Sequence, residues 1–198
     1  MKLVAPLYYI GKVGSGNIAL LRFGNASFFA KRGTVDAIPL QEIWGFNCYD
    51  NASLRQGDIV VDIGAHIGGY SVKAAKQCAK VIAYEASPSN YELLVKNLAI
   101  NGCHNVKAYN AAVASKNGTV KLFLDPKGTA LNSIYHAPSS GEKITVNSVN
   151  LHTVFTRNKL KMIDVLKLDV EGAEYDILLH ARAADLRKIR TIVMEYHD

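Results

Sequence analysis

From Asp58 onward the chain alternates short apolar runs with amphipathic segments, and no other feature of the sequence restricts its fold as strongly. DIVVDIG (58–64), KVIAYEA (80–86), NVKAYNAAV (105–113), MIDVLKLDV (162–170) and TIVMEYH (191–197) read as five strands. VKAAKQCA (72–79) has helical spacing. The clearest helix follows Ser87, which suits an N-cap, with Pro88 at the first helical position. Tyr91, Leu94, Val95 and Leu98 then recur at i, i+3, i+4 and i+7 until Asn101 and Gly102 stop the run. A further helix presents Ala173, Ile177, Leu178 and Ala181 on one face. Strands joined through helices need crossover connections, so the expected fold class is α/β, a doubly wound, mostly parallel sheet with helices on both faces.

Two regions depart from the alternation. YYIGKV, NIALLRF and ASFFAKR, separated by Gly and Asn, predict a β meander, and VDAIPLQEIWGF a short helix, so residues 1–57 form an N-terminal β-rich extension. Residues 58–198 form the core, interrupted at about 117–149 by a β insertion built from NGTVKLFL and KITVNSV. At 198 residues and 49% hydrophobic, the chain is long enough for one substantial core. The apolar start meets Lys12 without a cleavage pattern, and no run is apolar enough to span a bilayer, so the expectation is a cytoplasmic protein with no membrane partner. Cys48, Cys78 and Cys103 lack metal-ligand spacing and suit a reducing compartment. The net charge of +6 is evenly spread, with six basic and three acidic residues in 1–57 and 17 and 14 from Asp58 onward. That pattern favours a solvated surface over a nucleic-acid footprint.

In an open parallel sheet, ligands bind beyond the carboxyl ends of the strands, at the point where strand order reverses. The first core strand ends in VDIGAHIGGYS, with Asp62 in the strand and glycines at 64, 68 and 69. Glycine permits a tight turn and close approach of a ligand to the backbone. A dinucleotide fingerprint needs glycine where His66 stands, and there is no GK[ST], so a nicotinamide site and a P-loop both lose ground. Glu85 ends the second strand, 23 residues after Asp62, where a carboxylate can accept both hydroxyls of a ribose. Asn110 and Ala111 end the third strand and could offer an amide and a flat apolar surface to adenine. The fourth ends in LKLDVEGAEYDIL, which sets Asp169, Glu171 and Glu174 around a glycine. Acids there also suit a helix N-terminus, leaving a structural role open for Glu171 and Glu174. No His or Cys has ligand spacing, and no metal is expected.

These stretches resemble the FkbM family of class I S-adenosylmethionine-dependent methyltransferases over about residues 34–197. The likeness lies in VDAIPLQEIWGFNCY, GDIVVDIGAHIGGYS, YEASPSN, NAAVASKNGTVKLF and, most specifically, IDVLKLDVEGAEYDIL followed by IVMEYH. The resemblance implies a Rossmann-like core with S-adenosylmethionine as cofactor. The donor would be held by Asp62, Gly64, Ala65, His66 and Gly68, its ribose by Glu85, its adenine near Asn110 and its methionine end near Asp169. His66 stands where the family usually has Asn. The family also continues beyond the fifth strand, so the C-terminal edge strands are expected to be missing. The fifth strand would then be exposed, or covered by another chain or by the N-terminal segment, unless the chain is a truncated one.

Methyl transfer is an in-line displacement from an activated sulfonium, so the enzyme mainly aligns the acceptor and excludes water. A base is needed only to take a hydroxyl proton, and Asp169, Glu171 and His197 are the catalytic candidates by position, with His66 also near the loop. DVEG in place of an NPPY-type motif favours an oxygen acceptor on a small molecule or glycan. The rival readings are an RNA methyltransferase, motivated by a pI of 9.2, and a non-catalytic methyltransferase-like binding domain. The oligomeric state, including a homo-oligomer, stays open.

Overall fold

A computed structural model describes residues 8–12, 17–125, 132–134 and 141–195. The N-terminal extension is the expected antiparallel meander of β1 (Tyr8–Lys12), β2 (Ile18–Phe23) and β3 (Ala26–Lys31). It is followed by α1 (Ala37–Gln41), which runs directly into a π-helical turn, Glu42–Phe46. Trp44 fastens that turn to the core, donating from its indole nitrogen to the Gly69 carbonyl at 3.1 Å.

The core begins with β4 (Ile59–Ile63), whose Val60, Val61 and Ile63 are fully buried, as a central parallel strand covered on both faces requires. Then come α2 (Gly69–Ala75), β5 (Lys80–Glu85), α3 (Pro88–Ile100) and β6 (Val106–Asn110). Helix α2 starts three residues earlier than its apolar spacing predicts, because Gly68 takes a left-handed φ of +96° and turns the chain straight into the helix. Helix α3 matches its expected span, but the Ser87 side chain does not cap it. The Ser87 amide instead donates to Glu85 Oε1 at 2.8 Å, and its carbonyl accepts from the Tyr91 amide.

The predicted run 105–113 divides at Ala111. β6 stays in the large sheet, whereas β7 (Ala112–Val113) joins β8 (Gly118–Leu124) and β9 (Glu142–Val149), both within about 117–149, in a small sheet of order β7-β9-β8. Helix α4 (Leu151–Arg157) leads back to the core; the Asn150 carboxamide oxygen caps it by accepting from the Thr153 amide at 2.9 Å. Its signal, Asn150 before Leu151, Val154 and Phe155, is in the sequence but does not enter the five-strand reading. β10 (Ile163–Leu168) is followed by α5 (Glu174–Leu179) and α6 (Ala183–Leu186), two short helices in place of the single one expected. β11 (Ile189–Met194) ends the described chain.

The five core strands are all parallel, in the order β11-β10-β4-β5-β6. Among the described residues β11 pairs only with β10 and is the sheet edge, its side chains alternating half-buried and exposed. No helix among the described residues is long and apolar enough to cross a membrane.

The meander is held on the core by two carboxamides, one on α3 and one at its C-cap, that imitate a strand edge. Asn97 Oδ1 accepts from the Phe29 amide at 2.7 Å, while its Nδ2 donates to the carbonyls of Phe29 and Ile67 at 3.0 and 2.8 Å. One turn on, Asn101 repeats the exchange with Ser27 at 3.0 and 2.7 Å. Asn97 is fully buried, so Asn97→Ala leaves three backbone groups without their partner. Chemical denaturation of this variant is expected to show a loss of about 3 kcal/mol. A loss below about 1 kcal/mol would mean that the clamp contributes no more than an ordinary solvated pair.

Candidate active site

The first connections from β4 lead to β5 and β6 on one side, and the later ones return to β10 and β11 on the other. The order therefore reverses between β4 and β10, and a crevice opens at their carboxyl ends. A cleft of about 500 Å³ lies there. Ala111, Glu85, Gly64, Asp169 and Glu195, one from the end of each core strand, all line it. Because neighbouring strands lie about 4.8 Å apart, these five positions form a row across the sheet.

At the end of β4 the backbone is pinned on both sides. The amides of Gly64 and Ala65 both donate to the Tyr84 carbonyl at 3.0 Å, and the Lys167 ammonium donates to the Gly64 carbonyl at 3.1 Å. Gly64 has a left-handed φ of +79° and comes so close to β10 that a Cβ would lie 1.7 Å from the Asp169 carbonyl oxygen. His66 is also left-handed, at +52°. Its amide donates to Glu85 Oε2 at 2.8 Å, and its ring Nε2 lies 3.5 Å from Asp36 Oδ1. Glu85 thus gathers the amides of His66 and Ser87 with a carboxylate that still faces the cleft. Burial pushes its carboxyl above the ordinary range, against the opposing pull of His66 and the two amides.

Beneath the loop is a buried ionic chain. Asp62 and Lys167 are register partners on β4 and β10, with Lys167 Nζ 3.2 Å from Asp62 Oδ1 and 3.3 Å from Asp169 Oδ2. Ser71 donates to Asp62 Oδ2 at 2.6 Å. Burial disfavours the Lys167 ammonium, but Asp62 and Asp169 outweigh it and hold the group above the usual lysine range. Tyr49 continues the chain outward, its hydroxyl lying 3.1 Å from Asp169 Oδ2 and 3.3 Å from Glu195 Oε2. Burial, Asp169 and Glu195 all push that phenol well above its ordinary range. Glu42, on the π-helical turn, is raised in turn by burial, Glu195 and Asp169.

The DVEG turn is held by Glu174, whose carboxylate accepts from the amides of Val170 and Gly172 at 2.9 and 3.0 Å; its role is structural. Glu171 is left-handed at +54° and its carbonyl accepts from the Ser133 hydroxyl. The side walls are largely apolar: Val35, Ile38 and Pro39 from the N-terminal extension, Leu122 and Ile134 from the insertion. Asn132, also in the insertion, lines the cleft and has a buried Nδ2 without a hydrogen-bond partner among the described residues.

Of the residues singled out from the sequence, Gly64, His66, Glu85, Asp169 and Glu171 come together around the cleft. Asp62 is not in the lining and acts from below through Lys167; Ala65 and Gly68 shape the turn without lining it. Asn110 also stands outside the lining: its Nδ2 donates to the carbonyls of Glu85 and Ala86 at 2.9 and 3.1 Å, bracing the β5–α3 loop. His197 lies outside the described residues. Sequence reasoning missed Glu42, Tyr49, Lys167 and Glu195. Glu195 could have been found by the strand-end logic that found Asp169, since it ends the apolar run TIVM.

Residues 62–198 match the model of the methyltransferase FkbM domain. Methyltransferase sdnD of Sordaria araneosa is 29% identical over 187 residues, covering 78% of this chain and 72% of that protein. The 31-O-demethyl-FK506 methyltransferase FkbM of Streptomyces tacrolimicus is 28% identical over 191 residues, covering 80% of this chain and 73% of that protein. Among solved structures, methyltransferase FkbM from Methylobacillus flagellatus aligns with a TM-score of 0.47 at 18% identity; the match covers 69% of this chain and 32% of that longer one.

Proposed function

The chain belongs to the FkbM methyltransferase family, whose methyl donor is S-adenosylmethionine, and from that premise we propose that it methylates a hydroxyl of a small molecule or glycan. The observation that carries the reading is the row of strand ends, Ala111, Glu85, Gly64 and Asp169, because its order matches the order of groups in the donor. Ala111 with Ala112 and Val113 offers an apolar wall for adenine. Glu85, a buried acceptor-only carboxylate, suits the ribose hydroxyls. Gly64 lets the donor lie against the backbone, and Asp169 marks the positively charged methionine and sulfonium end. The cleft volume, about 500 Å³, falls within the roughly 300–1,000 Å³ of small-molecule sites.

When bound, the donor supplies a methyl group already activated by the sulfonium. The chain's own residues have two tasks. The walls from α1 and the insertion hold the acceptor and exclude water, and Asp169 accepts the hydroxyl proton as the new bond forms. The relative named for 31-O-demethyl-FK506 supports an oxygen acceptor, as does the largely apolar wall for a small-molecule one.

Calorimetric titration with S-adenosylhomocysteine tests the donor site. The wild-type chain is expected to bind it, and Glu85→Ala to weaken binding by roughly 10- to 100-fold through loss of two charge-assisted hydrogen bonds. No binding by the wild-type protein at millimolar ligand would overturn the reading. A screen of hydroxylated acceptors with labelled donor tests the reaction, and label appearing in RNA instead would move the acceptor class to nucleic acid.

A further inference from the structure

The donor and its demethylated product differ by one methyl group and one positive charge, on a sulfur placed by the reading above beside Asp169. What the chain arranges there is therefore a question of charge. Asp169, Glu42 and Glu195 line the end of the cleft with Asp62 buried beneath them, and among the described ion pairs Lys167 is the ammonium that Asp62 and Asp169 share. Tyr49 stands between Asp169 and Glu195 with a single hydroxyl proton, which it can give to only one carboxylate at a time. Its ring is fixed, edge-on to Tyr70 at 5.5 Å and 5.3 Å from Lys167 Nζ. A phenol packed in this way, with two carboxylates within its reach, forms a shared hydrogen bond.

We propose that Tyr49 is a positioning residue that sets the charge selectivity of the cleft, holding Asp169 and Glu195 together as carboxylates so that positively charged S-adenosylmethionine binds in preference to neutral S-adenosylhomocysteine. The inference rests on the donor reading. The reaction cancels the attraction on both sides. The acceptor oxygen forms the new bond to the methyl carbon while the sulfur–carbon bond breaks and its electron pair stays on sulfur. The sulfonium becomes a neutral sulfide, and the hydroxyl proton passes to a carboxylate. Product then leaves a site that has lost its complementarity. Without the Tyr49 hydroxyl, two neighbouring carboxylates repel, one takes a proton from solvent, and the preference falls.

Calorimetry with S-adenosylmethionine, sinefungin (an analogue with a charged amine in place of the sulfonium) and S-adenosylhomocysteine reads the preference directly, with no acceptor present. The wild-type protein is expected to bind the two charged ligands at least roughly tenfold more tightly than the neutral one, as a charge-assisted contact implies. Tyr49→Phe should narrow that ratio to about threefold or less while leaving affinity for the neutral ligand within about threefold of wild type. Glu195→Gln should narrow it in the same direction, so the test survives if one variant folds poorly. Equal wild-type affinities for charged and neutral ligands, or a Tyr49→Phe variant that weakens all three in proportion, would overturn the inference while leaving the donor site intact. Failure of every ligand to bind the wild-type protein would overturn the donor reading and this inference with it.

Discussion

Gly64→Ala is expected to abolish the stable fold. The position has a φ of +79°, where an L side chain is strained, and the added Cβ would meet the Asp169 carbonyl oxygen at 1.7 Å and its carbon at 2.8 Å. Those atoms are backbone of the neighbouring strand, so relief requires β4 and β10 to part, and both strands lie at the centre of the sheet. The expected loss exceeds about 4 kcal/mol, in the range reserved for backbone overlap rather than side-chain trimming. Gly68→Ala is the natural comparison. Its φ is also positive, at +96°, but its nearest obstacle is Leu94 Cδ1 at 2.7 Å, the end of a flexible side chain. That variant should fold, at a cost of about 1–3 kcal/mol. Denaturation of both purified proteins checks the contrast, and a Gly64→Ala protein as stable as Gly68→Ala would show that the β4–β10 approach is looser than described.

Lys167→Met should be the second most damaging change. Lys167 is 2% exposed and Asp62 fully buried, so removal of the ammonium leaves a carboxylate in the interior with its charge uncompensated. Breaking one side of a buried pair costs about 3–5 kcal/mol. The same reasoning predicts rescue, because Lys167→Met with Asp62→Asn contains no isolated charge at the Asp62 position and should recover at least half of the loss. Thermal and chemical unfolding of the single and double variants test this together. A double variant no more stable than Lys167→Met alone would show that the cost lies in lost packing and lost contact with the Gly64 carbonyl instead. The Lys167 ammonium is held above its unfolded range, so its own contribution is complete below pH of about 10 and is lost only as pH rises beyond that.

How much of this is legible in the sequence depends on how local the physics is. The strand ends were readable because an apolar run that stops at Gly64, Glu85 or Asp169 carries its own signal. The helix from Pro88 was readable because its stop and start residues sit beside a regular apolar face. Lys167 was hidden inside a run read only as a strand, although a lysine between Leu166 and Leu168 implies a buried partner. That partner, Asp62, lies 105 positions earlier and is found only through the β4–β10 register. Tyr49 ends VDAIPLQEIWGFNCY, a stretch of the family resemblance, but nothing local marks its part in the site, which comes from tertiary placement between two strand ends. Asn101 reads only as a helix stop and Asn97 carries no local signal, because their partners on β3 lie about 70 positions away.

The small sheet has a consequence for how such a chain can change over generations. It is reached from β6 through one residue, Ala111, and its first and last strands close on each other, Val113 beside Val149. The polypeptide therefore departs from the core and rejoins it at almost the same point. A segment bounded in this way can be lengthened, shortened or exchanged for another with little entropic penalty and without shifting the register of the five parallel strands. Leu122, Asn132 and Ile134 all belong to it, so one recombination event could replace a wall of the cleft while the residues at the strand ends keep their places. Swapping residues 114–148 between two relatives is the direct way to ask whether acceptor choice travels with that cassette.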